Sequence, residues 1–414
     1  MINELKKEIE KKYGKKVENR GDCEKIASAI LELSDFEISY NTIRRLFELA
    51  PFTNPNNNTL NILAKFIGYN NYFHFTQTYG FKEKTNLFQI TYKHIYDEND
   101  LEIINLIKNT RKSTEYFIDF ITLVVRELFY LKKYELIDSI FKLEELEYSR
   151  FSYSEILYFG NSVGLILRKQ NKVVEVLAKN INFLKCVYLI FVDYSSLNSY
   201  YGKWAKTLMN LKTTSEIEVF NHAILEFKRF LNNKNLKNNV VSLIYKKDLH
   251  PILSSRLVAL HLLSKTVSDP VEVLIKYCKA HKKTKHSTDY FYELFTTSIL
   301  TKNIEVMKFL IEKIKLEIIH FYQKEHLNSF YLMCAFYYRI TQNKVKQRTN
   351  YNRFNINGSR NSYNEFIKLI NLIYLYDATI QKTEQKQILL QYELISEKLN
   401  YPYFSKELLL NYFE

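Results

Sequence analysis

Ile38-Ser-Tyr-Asn-Thr-Ile-Arg-Arg-Leu-Phe-Glu-Leu49 and Thr59-Leu-Asn-Ile-Leu-Ala-Lys-Phe-Ile-Gly68 are the two segments that decide the fold of the N-terminal part of the chain. Ser39 stands where an N-cap residue is expected, and Ile43, Leu46 and Phe47 are spaced so that they share one face of a helix. The pattern predicts a helix over residues 39–49 that buries this face. The opposite face then presents four polar side chains, Asn41, Arg44, Arg45 and Glu48.

This outward face predicts contact with DNA. Asn pairs bidentately with adenine edges and Arg with guanine edges in the major groove, and residues near the N-terminus of an inserted helix are the ones that reach the bases. We therefore expect Asn41 and Arg44 to serve binding rather than folding.

The surrounding sequence predicts a small helical domain over residues 1–80. A charged lead helix, a helix over 22–33 and helices near 59–67 and 71–79 complete it. Thr59 is expected to cap its helix after the Pro/Asn-rich loop 51–58, and Gly68 to end that helix. Four aromatic residues that follow are expected in the core: Tyr69, Tyr72, Phe73 and Phe75. Gly80 and the polar stretch 82–85 predict a boundary, and a second domain is expected over 86–414.

The composition predicts an all-α chain. Its 414 residues suit two or three domains, and they include only 8 Gly and 5 Pro, too few for the tight turns that sheets require. Phosphate-binding glycine loops are excluded. The nearest approach, Gly160-Asn-Ser-Val-Gly164, lacks both the Gly-Lys-Ser/Thr ending and the further glycine of a dinucleotide-binding turn.

The formal net charge of +14 and the isoelectric point near 9.2 suit a polyanionic partner. An equally good explanation is compositional. Lys greatly outnumbers Arg, and the chain is also rich in Asn, Ile and Tyr, a combined bias expected from an A/T-rich genome. The N-terminal domain is nearly balanced in charge, so the excess lies mostly in the C-terminal half.

Metal, cofactor and membrane sites are not indicated. Four widely spaced cysteines form no Cys-x-x-Cys pair, and nine histidines give no His-Glu-x-x-His motif. The N-terminus mixes acidic and basic residues, and no segment approaches eighteen continuous apolar residues. We expect a cytoplasmic protein without a cofactor, a metal ion or contact with a membrane.

From about residue 86 the sequence repeats one theme, an apolar helix, a short polar break and an amphipathic helix. The breaks lie at 131–136, 167–172, 300–304 and 340–344, and two adjacent spacings are about forty residues, within the range of helical-hairpin repeats. This resembles the architecture of tetratricopeptide repeats, although the defining Trp, Leu-Gly, Tyr and Pro positions of that family are missing. The prediction is a degenerate solenoid, and the alternative is a bundle of helical hairpins.

Residues 23–70 resemble the repressor/Cro-like helix-turn-helix family. The resemblance lies in an alanine-bearing helix, the pattern Ser-x-x-Thr-Ile-x-Arg, a loop, and the pattern Thr-Leu-x-x-Leu-Ala-x-x-x-Gly. The segment 33–38 departs from the family because it is longer than the usual turn and lacks glycine. The resemblance implies double-stranded DNA as partner, and it places six residues at the DNA: Ser39, Tyr40, Asn41, Thr42, Arg44 and Arg45.

Fusion of such a head to helical repeats resembles the plan of peptide- or ligand-sensing repressors. In that plan the repeat domain forms a homodimer and holds a peptide or another effector. The leading hypothesis is therefore a non-enzymatic DNA-binding transcriptional regulator. One alternative is a protein- or peptide-binding scaffold whose head does not bind DNA.

A second basic patch lies between Arg339 and Arg360, where aromatic residues alternate with cations and no acidic residue occurs. Its cations are Lys344, Lys346, Arg348, Arg353 and Arg360. Such a patch can follow a nucleic-acid backbone. The same composition suits an exposed loop between helices whose long side chains lie along the surface.

Arg256-Leu-Val-Ala-Leu-His261 has the Arg-x4-His spacing of a family of all-helical ribonucleases, in which His acts as general acid or base. Roughly one such match is expected by chance in a chain with this many Arg and His residues, and no catalytic residue is assigned. An RNA-targeting effector of the host-defence type is kept as a second alternative.

Overall fold

The chain is helical throughout the part that its structure, a computed structural model, describes. That part comprises residues 1–34, 36–113, 116–170, 173–211, 213–237, 249–264, 267–281, 289–313, 324–358 and 363–414, without the side chains of 34, 81–83, 112–113 and 324–325. Within it there is no β-strand, which confirms the all-α prediction. None of its helices is both long and apolar enough to cross a membrane.

The chain forms two compact units, Met1–Tyr116 and Phe117–Glu414. The first unit contains six helices among its described residues: α1 Ile2–Tyr13, α2 Arg20–Ser34, α3 Tyr40–Leu46, α4 Asn57–Phe66, α5 Tyr72–Tyr96 and α6 Asp100–Ser113. α2 packs on α3 and α4. Leu5, Ile26, Ile30 and Leu63 are buried in their shared core.

The predicted helix after Ser39 forms, but it is shorter than expected. The Ser39 side chain accepts a hydrogen bond from the Asn41 N–H, and Ile43 and Leu46 are buried, as predicted. Phe47 is only half-buried. The helix ends at Leu46 rather than near 49 because Glu48 adopts a left-handed conformation (φ 61°), which turns the chain away.

The prediction that Thr59 caps α4 was wrong. Asn56 is the N-cap, and its side chain accepts from the Thr59 N–H at 2.8 Å. At the other end Gly68 has φ 99°, as a glycine just past a helix end requires. Phe75 is fully buried as predicted, but Phe73 is 71% exposed, so its core placement was wrong.

A continuous helix, α5, runs through the stretch 80–85 where the sequence predicts a boundary. The two compact units divide after Tyr116 instead of between residues 80 and 86. Polar composition alone did not distinguish a linker from the middle of a long surface helix, because a solvated helix face is equally polar.

The second unit contains the remaining helices of the described residues. They are α7 Phe117–Tyr130, α8 Tyr134–Phe141, α9 Tyr153–Leu167, α10 Glu175–Lys179, α11 Ile181–Phe183, α12 Tyr200–Met209, α13 Ser215–Leu231, α14 Pro251–Leu263, α15 Pro270–Ala280, α16 Tyr292–Leu300, α17 Ile304–Lys313, α18 Lys324–Ile340, α19 Lys344–Arg353, α20 Asn364–Ala378, α21 Lys382–Leu399 and α22 Lys406–Asn411. Consecutive helices pack as pairs, among them α12 with α13 and α18 with α19.

Three of the predicted helix breaks share one backbone turn. Lys132, Lys302 and Gln342 have φ values of 57°, 49° and 58°, and the residue after each donates its N–H to a carbonyl five residues earlier. This is the Schellman ending, built here without glycine. At the fourth predicted break α9 ends at Leu167, and residues 171–172 lie outside the described part.

Contacts over long sequence separations close the second unit on itself. The Tyr401 hydroxyl donates to the Tyr194 carbonyl at 2.6 Å and accepts from the Leu197 N–H at 2.8 Å. The rings of Tyr194 and Tyr363 meet edge to face, with centroids 4.7 Å apart. In an open array of repeats each repeat contacts only its neighbours in the sequence. The second unit differs from such an array because these contacts join residues about 170 to 200 positions apart.

Candidate functional site

α3 presents a small polar surface, which we call the α3 face and define as Ser39, Asn41, Arg44 and Arg45. Asn41 and Arg45 are exposed, and Arg44 is half-buried. Arg44 Nη1 donates to Asn41 Oδ1 at 3.2 Å, and Nη2 reaches the Leu49 carbonyl at 3.4 Å. The two side chains best suited to read bases therefore lie side by side, held by each other and by the helix end.

Two other residues assigned to the DNA are less accessible than expected. Tyr40 is half-buried against the core of the first unit, and the Arg20 guanidinium lies 4.9 Å from the centre of its ring. Thr42 is also half-buried. Glu48, on the same side of the chain, has its carboxylate 2.6 Å from Lys6 Nζ. Pairing with a cation reduces the repulsion that this carboxylate would exert on a phosphate.

The start of α2 is held by an ionised cap. The Asn19 side chain accepts from the Asp22 N–H at 3.0 Å, while Asp22 accepts from the N–H groups of Asn19 and Glu18. Lys15 Nζ lies 2.6 Å from the Asp22 carboxylate. The hydrogen bond from Lys15 and that from the Glu18 N–H lower the pKa of Asp22 to about 2. α2 in turn supports α3, so this cap helps to fix the α3 face.

Four of the five cations of the second basic patch lie on a helix, α19, and not on the exposed loop that its composition also suits. Lys344, Lys346, Arg348 and Arg353 are all exposed, and none forms an ion pair with another described residue. Arg360 lies outside the described residues. No residue of α19 is fully buried.

A buried polar cluster in the second unit was not predicted as a unit. Arg256 of α14 and Glu293 of α16 are 4% and 6% exposed and pair at 2.8 Å. Arg256 Nε donates to the Tyr194 hydroxyl, and the hydroxyls of Tyr194 and Tyr363 each donate to Glu293 at 3.0 Å. Burial raises the pKa of Tyr194, so it stays a neutral donor. In the sequence, the single Arg among the apolar residues of α14 indicated that a buried partner is needed. No neighbouring residue in the sequence indicated which residue that partner is.

A cavity of 130 Å³ adjoins this cluster. Arg256, Glu293 and Tyr363 line one part of it, and apolar side chains make up most of the rest. An engineered apolar cavity of about 150 Å³ holds a molecule of the size of benzene, so this one matches a single ring.

The contacts within this cluster explain why an Arg occupies position 256 without reference to ribonuclease activity. Its guanidinium is occupied by Glu293 and Tyr194, and His261 lies five residues further along the same helix, about 140° around the helix axis. Burial lowers the pKa of His261. The pair is therefore not arranged as a shared phosphate site. Among the described residues no three His, Cys, Asp or Glu side chains could hold a metal ion.

Comparison of the chain with protein-family models, curated proteins and solved structures finds no match in any of the three.

Proposed function

We propose that this chain is a DNA-binding transcriptional regulator whose first unit reads double-stranded DNA through the α3 face. The helix-turn-helix assignment of α2 and α3 and a cytoplasmic location belong to the same proposal. The single observation that carries it is the orientation of α3, which buries Ile43 and Leu46 and leaves Asn41 and Arg45 exposed. An Asn and an Arg on one exposed helix face are the side chains that distinguish adenine and guanine.

The hydrogen bond between Arg44 and Asn41 adds to this argument. It fixes both side chains before any partner binds, which lowers the entropy lost on binding. Arg44 also donates to the Leu49 carbonyl, so Arg44→Ala would disturb the helix end as well as the surface. Asn41 and Arg45 are therefore the better test positions.

Selection of preferred sequences from a random DNA pool by the full chain tests the proposal. We expect the wild type to enrich a defined site, and Asn41→Ala with Arg45→Ala to lose that preference by about 1–3 kcal/mol per base contact while keeping its helical content. A matched control is Asn70→Ala with Lys16→Ala, which removes one Asn side chain and one positive charge at exposed positions outside α3. The proposal is contradicted if the control variant loses the sequence preference, or if the test variant keeps it.

In this proposal the second unit senses an effector or forms the dimer. The cavity beside Arg256 and Glu293 supports a sensing role because it combines apolar walls with a few fixed polar groups, as ligand pockets do. A stack of tetratricopeptide-like repeats and a homodimer remain parts of the proposal. Two half-sites about one helical turn apart in the selected DNA would support the dimer.

A further inference from the structure

We propose that α19 is a second DNA-binding element, which enters the major groove of double-stranded DNA and holds the phosphates on both sides of it, independently of base sequence. The inference rests on the proposed DNA-binding function and adds a site in the other unit. Four side chains would make the phosphate contacts: Lys344, Lys346, Arg348 and Arg353.

The cations of α19 lack a counter-charge among the described residues. Several surface cations elsewhere in the second unit are paired with carboxylates, such as Lys276 with Glu272 and Lys398 with Glu365. Arg339, just before α19, is likewise paired with Asp377. The four cations of α19 have no such pair among the described residues, and residues 340–364 include no acidic residue. Unpaired cations gathered on one element release counterions when they meet phosphates.

These cations lie on two opposite flanks of the helix. At 100° per residue, Lys344 and Arg348 fall on one flank, and Lys346 and Arg353 on the other. Between the flanks lies an outer ridge of Val345, Thr349 and Asn352, with Val345 77% exposed. A helix is about 10–12 Å wide with its side chains, and the major groove of DNA about 12 Å. Each flank would therefore face one phosphate wall.

Side chains on the inner face hold α19 against the rest of the second unit. Tyr351 stacks on Tyr374 with ring centroids 4.4 Å apart and donates a hydrogen bond to Asn371 at 3.0 Å, while Gln347 donates to Tyr374. These inner side chains fix α19 to the rest of the unit. Lys346 Nζ lies 5.4 Å from the centre of the Tyr338 ring and the Arg353 guanidinium lies 5.7 Å from that of Tyr331, and both cations are nevertheless exposed to a partner. The deep, narrow major groove of A-form RNA does not admit a helix, so the geometry favours DNA over double-stranded RNA.

The test measures affinity of the full chain for a random-sequence DNA duplex of about three helical turns, across a series of salt concentrations. In the test variant the four cations of α19 are changed to Ala. We expect its slope of log affinity against log salt to become shallower by about 2–4, with roughly a tenfold or greater loss of affinity near physiological salt. A charge-preserving exchange of Lys for Arg and Arg for Lys at the same positions should keep the wild-type slope.

A matched control removes the same charge from exposed positions on α12 and α21: Lys203, Lys206, Lys382 and Lys386, each to Ala. Equal losses in control and test variant would mean that net charge alone matters and would overturn the inference. Failure of the wild type to bind the duplex at low salt, or tighter α19-dependent binding to RNA of equal length, would also overturn it. Binding to random-sequence DNA does not require base recognition by the α3 face. Failure of the proposed DNA reading by the first unit would therefore be seen separately, as the absence of an enriched site in the selection experiment.

Discussion

At the scale of single residues, Asp22 shows how one carboxylate supports the candidate reading surface. It completes the cap of α2, and its pKa of about 2 means that the ionised form is favoured in the folded state. A group whose pKa is lowered on folding contributes stability at pH values above its unfolded pKa, near 3.8, and that contribution is lost as the pH falls through the folded value.

Asp22→Asn is therefore expected to destabilise the first unit at neutral pH and to flatten its pH dependence between about pH 4 and pH 2. Hydrogen exchange of peptides from residues 1–34, corrected for intrinsic rates, measures this in the full chain. Asp97→Asn, an exposed carboxylate of the same unit, serves as control. If both variants flattened the pH dependence of stability equally, the Asp22 cap would not be its cause.

At the scale of elements, two glycines of α9 determine how closely it approaches the next segment. A Cβ added at Gly164 would lie 2.2 Å from the Phe191 Cβ, and one at Gly160 would lie 2.4 Å from the Cys186 carbonyl oxygen. The segment Gly160-Asn-Ser-Val-Gly164, whose sequence excludes a phosphate-binding loop, therefore serves helix packing. It allows the backbone of α9 to approach residues 186–191 directly.

Gly164→Ala should lower the free energy of unfolding of the second unit by about 1–3 kcal/mol, because overpacking outweighs the gain in helix propensity. Urea unfolding followed by the fluorescence of Trp204, the only tryptophan and a buried one, measures it. Gly21→Ala in α2 is a control for the Gly-to-Ala change itself: its Cβ would lie 3.3 Å from Asn19 Oδ1 in the first unit, so the Trp204 transition of the second unit should not change. A stability of Gly164→Ala equal to that of the wild type would contradict the close packing of α9.

At the scale of the whole molecule, the Arg256 cluster joins parts of the chain that are far apart in sequence. Its members come from α14, α16, the segment before α12 and the segment before α20. Removing the charge of Glu293 leaves the buried Arg256 guanidinium without a counter-charge, which is far more costly than removing both charges together.

Glu293→Gln is expected to lower the free energy of unfolding of the second unit by about 3–5 kcal/mol. The double variant Glu293→Leu with Arg256→Met should recover part of that loss, because it leaves no buried charge. Trp204 fluorescence in urea reports both, and Glu305→Gln, an exposed carboxylate of the same unit, is the control. A loss no greater than that of Glu305→Gln would mean that the pair does not stabilise the unit.

The amino-acid sequence was sufficient to predict the all-α class, the Ser39 cap, the buried Ile43 and Leu46, the glycine ending at Gly68 and three of the helix breaks. These features depend on hydrogen bonds and side-chain periodicity within a few residues, which composition and spacing reveal. The exposed Asn41 and Arg45 follow from the same periodicity. The Asn56 cap was missed because two residues three positions apart both suit the role.

The continuity of α5, the division after Tyr116, the partner of Arg256 and the cavity beside it were visible only in the folded chain. The same holds for α19, a helix whose cations lie on two flanks and form no ion pair with another described residue. The physical reason is common to all of these. A charge or a polar stretch is compatible with several local structures, and the choice among them is made by packing against residues tens to hundreds of positions away.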